Sequence, residues 1–176
     1  MDETINQNSI AKNAANYGLI LGLAIVIYTL ILHFLGAAQN QVAAWVNMVF
    51  MVVAIQVGTR HFRDKIQGGY ISYGRAVGSG MLIVLFASVI NAFFIYVLYT
   101  YISPEGIQDI LIQAEESMMQ QGSSDEEIEM ATKLLEAVTT PALLAFATIF
   151  SSGFWGLVIS LITSAFLKKE KSIFED

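Results

Sequence analysis

His33 and His61 are the only imidazoles in a chain without cysteine, which bounds the chemistry its residues can perform. Zinc needs three or four converging Cys, His or carboxylate ligands, and no His-x-x-x-His or paired-cysteine spacing occurs, so no metal site and no cofactor are expected. Gly78-Ser79-Gly80 resembles a nucleophile setting, but a serine needs a base within hydrogen-bond reach. Ser79 is expected near the inner start of one apolar helix and His33 near the outer end of another. At 1.5 Å per helical residue they are roughly 20 Å or more apart. The same glycines lack the lysine of a phosphate loop. Asp125, Glu126, Glu127 and Glu129 invite a calcium reading, but calcium loops alternate their ligands, whereas consecutive acids on a helix point in different directions. They are expected to form a solvated helix face. No acid, base and nucleophile can meet, so no catalytic residue is assigned and the chain is not expected to be an enzyme.

The elements that hold these residues follow from where charge is missing. Residues 13–59, 76–104 and 137–167 contain no Asp, Glu, Lys or Arg, and a bilayer's hydrocarbon core accepts helices of about 20 apolar residues. The first block fits two spans and the others one each, giving spans at about 16–35, 41–59, 76–102 and 141–167. Leu19–Leu35, Val42–Val57, Met81–Ile102 and Leu143–Leu167 are apolar all round, unlike the two-faced helices of a water-soluble bundle. The expected fold is all-α: an integral membrane four-helix bundle forming one domain over residues 1–176, with an amphipathic helical hairpin between spans three and four. Gly36-Ala37-Ala38 resembles a signal cleavage site. The apolar run before it is longer than a signal core, however, and the leader Met1–Asn16 has two acids against Lys12, so a retained span is expected.

Lys and Arg flanking spans stay on the cytoplasmic side. Eight of the nine lie on one side: Lys12, Arg60, Arg63, Lys65, Arg75, Lys168, Lys169 and Lys171, with Lys133 alone on the other. Both termini are therefore expected in the cytoplasm of a multi-pass inner (cytoplasmic) membrane protein. Nine of the fifteen acids fall in the 103–140 segment. An outer face this acidic argues against nucleic acid as a partner, since that needs a positive surface. The basic inner loop serves the threading and could also touch anionic headgroups.

Within 104–139, Ile107, Ile110, Leu111, Ala114 and Met118 fall on one helical stripe and Ile128, Ala131, Leu134, Leu135 and Val138 on another. Gly122 is a natural left-handed stop, and Ser124 stands three residues before Glu127 in the capping-box arrangement. Ile107, Ile110, Leu111, Met118, Ile128, Leu134 and Leu135 are the expected docking residues for a periplasmic or membrane protein partner.

In the spans, Gly18-x-x-x-Gly22, Gly74-x-x-x-Gly78 and the every-fourth series Ser152, Gly156, Ser160 and Ser164 are expected to let helix backbones approach closely, within one chain or between copies in a homo-oligomer. Asn47, Gln56 and Asn91 are amides at membrane depth, expected to hydrogen-bond between helices. Their presence keeps a second function open, a small transporter or channel subunit working as an oligomer, beside the first, a non-enzymatic interaction or assembly component in the lipid bilayer.

The order of features is itself informative: a basic loop, Gly69-Tyr70-Ile71-Ser72-Tyr73-Gly74-Arg75-Ala76, a third span, an acidic helical loop through Gln121-Gly122 and Asp125-Glu126-Glu127-Ile128-Glu129, and a last span ending in Lys168-Lys169. The chain resembles domain of unknown function 4199, a family of four-span bacterial membrane proteins typical of Bacteroidota. That resemblance implies an inner-membrane location with the acidic hairpin in the periplasm. It brings no activity, cofactor or catalytic residue.

Overall fold

The computed structural model describes residues 2–37 and 41–169, and within them the chain is all-helical. In order these are α1 (Asp2–Phe34), α2 (Gln41–His61), α3 (Tyr73–Val97), α4 (Gly106–Gln120), α5 (Asp125–Val138) and α6 (Pro141–Leu167). α2 and α3 each end in a wider π-type turn, Phe62–Ile66 and Leu98–Ile102. Residues 38–40 of the expected outer turn, and Lys171 of the basic inner tail, lie outside the described residues.

Three helices among the described residues are long and apolar enough to cross a membrane: Ser9–Phe34, Tyr73–Ile102 and Pro141–Leu167. The expected 41–59 span coincides with α2, a helix of 21 residues, but is not among these three. The 141–167 boundaries coincide with α6, which Thr140 caps by accepting the Leu143 N–H at 3.3 Å, with Pro141 in the first position. α1 starts much earlier than the expected residue 16. Loss of charge marks where lipid can begin; the helix itself continues because Ile10, Asn13 and Ala14 have other helices to pack on.

One compact unit comprises residues 1–91 together with 149–176. Ala14, Leu21 and Ile25 of α1 pack there with Ile83 and Ala87 of α3, against Met51 and Ala54 of α2, while Ile55, Val84 and Ile159 join α2, α3 and α6. Small residues set these approaches. A methyl at Gly18 would lie 2.5 Å from Phe86 Cβ, one at Gly156 2.6 Å from Val84 Cγ1, and one at Gly80 2.5 Å from Ser160 Oγ. Gly22 faces Ile90, and Ser160 and Ser164 are fully buried. Gly74 and Gly78 make no such approach within the chain: among the described residues nothing lies within 4 Å of an added methyl at either. The reason is rotational. The packed face of α3 carries Ala76, Gly80, Ile83, Val84 and Ala87, and at about 100° per residue a position two residues away falls nearly opposite.

The outward stripes of the same helices are apolar too. Leu19, Leu23, Ile27 and Ile31 on α1, Val49, Val53 and Val57 on α2, Val89, Phe93 and Tyr96 on α3, and Phe146, Phe150 and Phe154 on α6 are all exposed. In water each such side chain would forgo roughly 1.5–3 kcal/mol of burial; against hydrocarbon it forgoes nothing.

The second unit, residues 92–148, contains α4 and α5, which contact one another across a turn of four residues. α4 begins at Gly106 rather than at Ser103-Pro104, because Ser103 carbonyl accepts the Gly106 N–H and makes a turn of Pro104-Glu105. Gly122 takes φ +81° at the link. The Ser124–Glu127 capping box is complete: Ser124 N–H and Oγ–H donate to the Glu127 carboxylate at 2.9 and 3.0 Å, and Glu127 N–H donates to Ser124 Oγ.

Two outcomes follow. Gly18→Ala and Gly156→Ala should each destabilise the protein by about 1–3 kcal/mol, whereas Gly78→Ala should change stability by no more than about 1 kcal/mol; unfolding of the detergent-solubilised chain by denaturing surfactant measures both. The hydrogen bonds from Ser124 hold the Glu127 carboxylate below its ordinary range. A depressed carboxylate stabilises the fold above its unfolded value, about 4.3, and that contribution disappears as pH falls through the folded value. Hydrogen exchange of the α5 amides should therefore show Ser124→Ala accelerating exchange at neutral pH, with the difference from wild type shrinking in acid.

Candidate functional site

The polar residues of the first unit collect in three places. Deepest are the amides. Asn91 Oδ1 is buried without a hydrogen-bond partner beside a cavity of about 10 Å³ lined by Leu21, Ser88, Asn91 and Ser152, near the minimum volume for one water. Asn47 Oδ1 is likewise buried and unpartnered, next to a cavity of about 420 Å³ between α2 and α6 lined by Trp45, Met48, Met51, Ser152 and Trp155. Among the described residues these two oxygens make no interhelical bond. Gln56 is half-buried on α2.

The second place joins the start of α1 to the end of α2. Asn13 Nδ2 donates to the Gly58 carbonyl at 3.0 Å, Asn13 Oδ1 lies 2.8 Å from His61 Nδ1, and the His61 ring stands 5.6 Å from that of Tyr17. His33 lies sixteen residues beyond Tyr17 on the same helix, about 24 Å along it. Ser79 is fully buried, with its hydroxyl 3.5 Å from that of Thr59. Among the described residues no three metal-ligating side chains converge.

The third place is the best-built. Gly68 and Gly69 turn the chain with φ of +67° and +91°, a region that costs an L side chain energy and glycine almost none. The chain then extends through Tyr70 and Ile71, and Ile71 exchanges both backbone hydrogen bonds with Lys169 just past α6, at 2.9 and 3.0 Å. Tyr73 OH donates to the Leu161 carbonyl at 3.0 Å. Arg63 reaches the same helix end, donating to the Leu167 carbonyl at 3.1 Å while gripping Asp64 through Nε and Nη2 at 2.6 and 3.1 Å. A last carbonyl of a helix has no intrahelical donor, so a guanidinium there satisfies it and also suits the negative end of the dipole. Hydrogen bonding to Arg63, reinforced by its charge, holds the Asp64 carboxylate below the ordinary range and raises the arginine. Phe62, Ile71 and Ala76 bury together beneath, against Ile10. The result is a clasp linking the α2–α3 connection to the end of α6, and around it lies a cleft of about 520 Å³ lined by Gln67, Tyr70, Ser72, Arg75 and Lys169.

None of the clasp was assigned a site role from the sequence. In the sequence Arg63 figures only as part of the basic loop that serves the threading and could touch anionic headgroups, Lys169 as a flanking charge, and Asn13 not at all; the available signal is the Gly69–Ala76 run, which has neither helical nor strand periodicity.

On the hairpin, Leu111 and Ile128 are buried, and Ile107, Ile110, Met118 and Leu135 are half-buried. Of the seven expected docking residues only Leu134 is fully open, at 66 % exposure. The exposed apolar line on α5 is instead Met130, Leu134 and Val138. α4 and α5 contact one another, and the exposed line flanks the buried Ile128.

An all-helical fold with three helices long and apolar enough to cross a membrane defines the class, a membrane-type protein. The chain belongs to the family described as protein of unknown function (DUF4199), which matches residues 16–169. Neither a curated protein nor a solved structure matches it.

Arg63→Met should lower stability by about 1.5–3 kcal/mol, the range for a lost hydrogen bond to a charged group. Thermal unfolding in detergent measures this, and Arg60→Gln, which removes a charge without touching Leu167, should leave the midpoint nearly unchanged.

Proposed function

We propose that this chain is a four-span inner-membrane protein, with α1, α2, α3 and α6 crossing the bilayer and both termini in the cytoplasm, that works by binding rather than by catalysis. The carrying observation is that the packed and outward stripes of these helices are both apolar. Water gives such helices no reason to keep an apolar outer face, and lipid gives every reason. The division of Lys and Arg, eight against one, supports the threading. With the hairpin on the periplasmic side, Met130, Leu134 and Val138 form an apolar line among acids, suited to docking a periplasmic or membrane protein partner.

A second reading, an oligomeric transporter or channel subunit, draws on the α2–α6 cavity and its Asn47 oxygen. Ionisable groups deep within the spans are the usual mark of transport, and the blocks free of Asp, Glu, Lys and Arg hold a single histidine, His33, next to the last residue of α1. The contact reading therefore ranks first.

Single cysteines replacing Gln67 and Gly122, in a chain with no native cysteine, should react differently with an impermeant thiol reagent in cells whose outer membrane has been permeabilised: position 122 labels and position 67 does not. A photocrosslinking residue at Leu134 should capture a partner that the same residue at buried Leu111 does not. Solute flux into vesicles that requires the protein and is abolished by Asn47→Leu or Asn91→Leu would reverse the ranking.

A further inference from the structure

We propose that the cleft at the clasp binds a phosphate group, presented by an anionic lipid headgroup or by a soluble phosphate. Two cations line one cleft from different parts of the chain, Arg75 from the first turn of α3 and Lys169 from the residues after α6. Both are held in place. Arg75 Nη1 donates to Gln67 Oε1 at 3.1 Å, which orients the guanidinium, a group with five N–H donors in all. Lys169 is anchored by its backbone exchange with Ile71, and its ammonium lies 5.4 Å from the Tyr70 ring centroid, a cation–π position.

The surroundings match an anion. Ser72 brings a hydroxyl to the cleft wall, and its carbonyl accepts the Ala76 N–H, so α3 begins at that wall with its positive end there. Asp64, the sole acid between Arg60 and Arg75, is gripped by Arg63, and its charge acts only secondarily on Lys169. Neither Arg75 nor Lys169 forms a salt bridge among the described residues. A basic loop that served only to orient spans would need charge but no shaped cleft, no tether for its arginine and no aromatic seat for its lysine. The phosphate chemistry stands independently of the threading proposed above; only a lipid source relies on it.

The test uses the full chain in a neutral detergent, following thermal unfolding while titrating phosphatidylglycerol, phosphatidylcholine or inorganic phosphate. Phosphatidylglycerol should raise the midpoint saturably and phosphatidylcholine should not. The pair Arg75→Gln with Lys169→Gln should weaken apparent affinity at least about tenfold, as expected for lost charged hydrogen bonds. The charge-matched pair Arg60→Gln with Lys65→Gln, outside the cleft, should retain it, and Arg75→Lys with Lys169→Arg should rescue most of it. A saturable shift with inorganic phosphate alone assigns the cleft to a soluble phosphate; a shift confined to the anionic lipid assigns it to a headgroup. Equal losses in the two Gln pairs, or no saturable shift with either phosphate source, would overturn the proposal while leaving the cysteine-labelling result on threading untouched.

Discussion

In hydrocarbon a helix gains nothing by burying leucine against leucine rather than against lipid, so association rests on how closely backbones and side chains fit. Everything in the first unit depends on that fit. Gly18 brings α1 onto Phe86 and Ile83 of α3, Gly80 brings α3 onto Ser160 of α6 and Ile55 of α2, and Gly156 brings α6 onto Val84 of α3. Each is a position where one methyl group would collide. Dispersion falls off within fractions of an ångström, so these contacts decide which helices are neighbours.

The clasp solves a different problem. Where helices end, carbonyls lose their intrahelical donors and the chain must turn back, and here both needs are met by the same residues. Arg63 donates to Leu167, Ile71 pairs with Lys169, and Gly68 and Gly69 supply the backbone angles. A segment that binds the far end of the chain this way leaves Arg75 and Lys169 along one cleft, so the cleft is a consequence of closing the fold.

The buried polar atoms mark where fit and hydrogen bonding disagree. Asn47 Oδ1, Asn91 Oδ1, Ser160 Oγ and Ser164 Oγ are enclosed without partners among the described residues, and an enclosed polar atom costs more the drier its surroundings. For Ser160, close approach of α6 to α3 is the compensating gain, because the absence of a side chain at Gly80 is what admits it. For the asparagines, the adjoining cavities offer room for a small polar group.

Much of this was legible in the residues. Stretches without charge located the apolar helices, Pro141 and Thr140 marked the start of α6, and Gly122 with Ser124 and Glu127 marked the hairpin's turn and second helix. Such signals are local: transfer of a side chain into lipid and capping of a helix end depend on a few neighbouring residues, so their energies can be summed along the chain. Helix rotation cannot be summed in that way. Gly74 and Gly78 have the same spacing as Gly18 and Gly22, yet among the described residues only the latter pair meets another helix, and Leu111 and Ile128 are buried although their stripes read as docking faces. The sequence by itself determined which segments shun water and where they start and stop. Only the tertiary structure decided which faces meet, and it alone brought Arg63 to Leu167 and Arg75 beside Lys169, because those contacts join residues about a hundred positions apart through the mutual orientation of several helices at once.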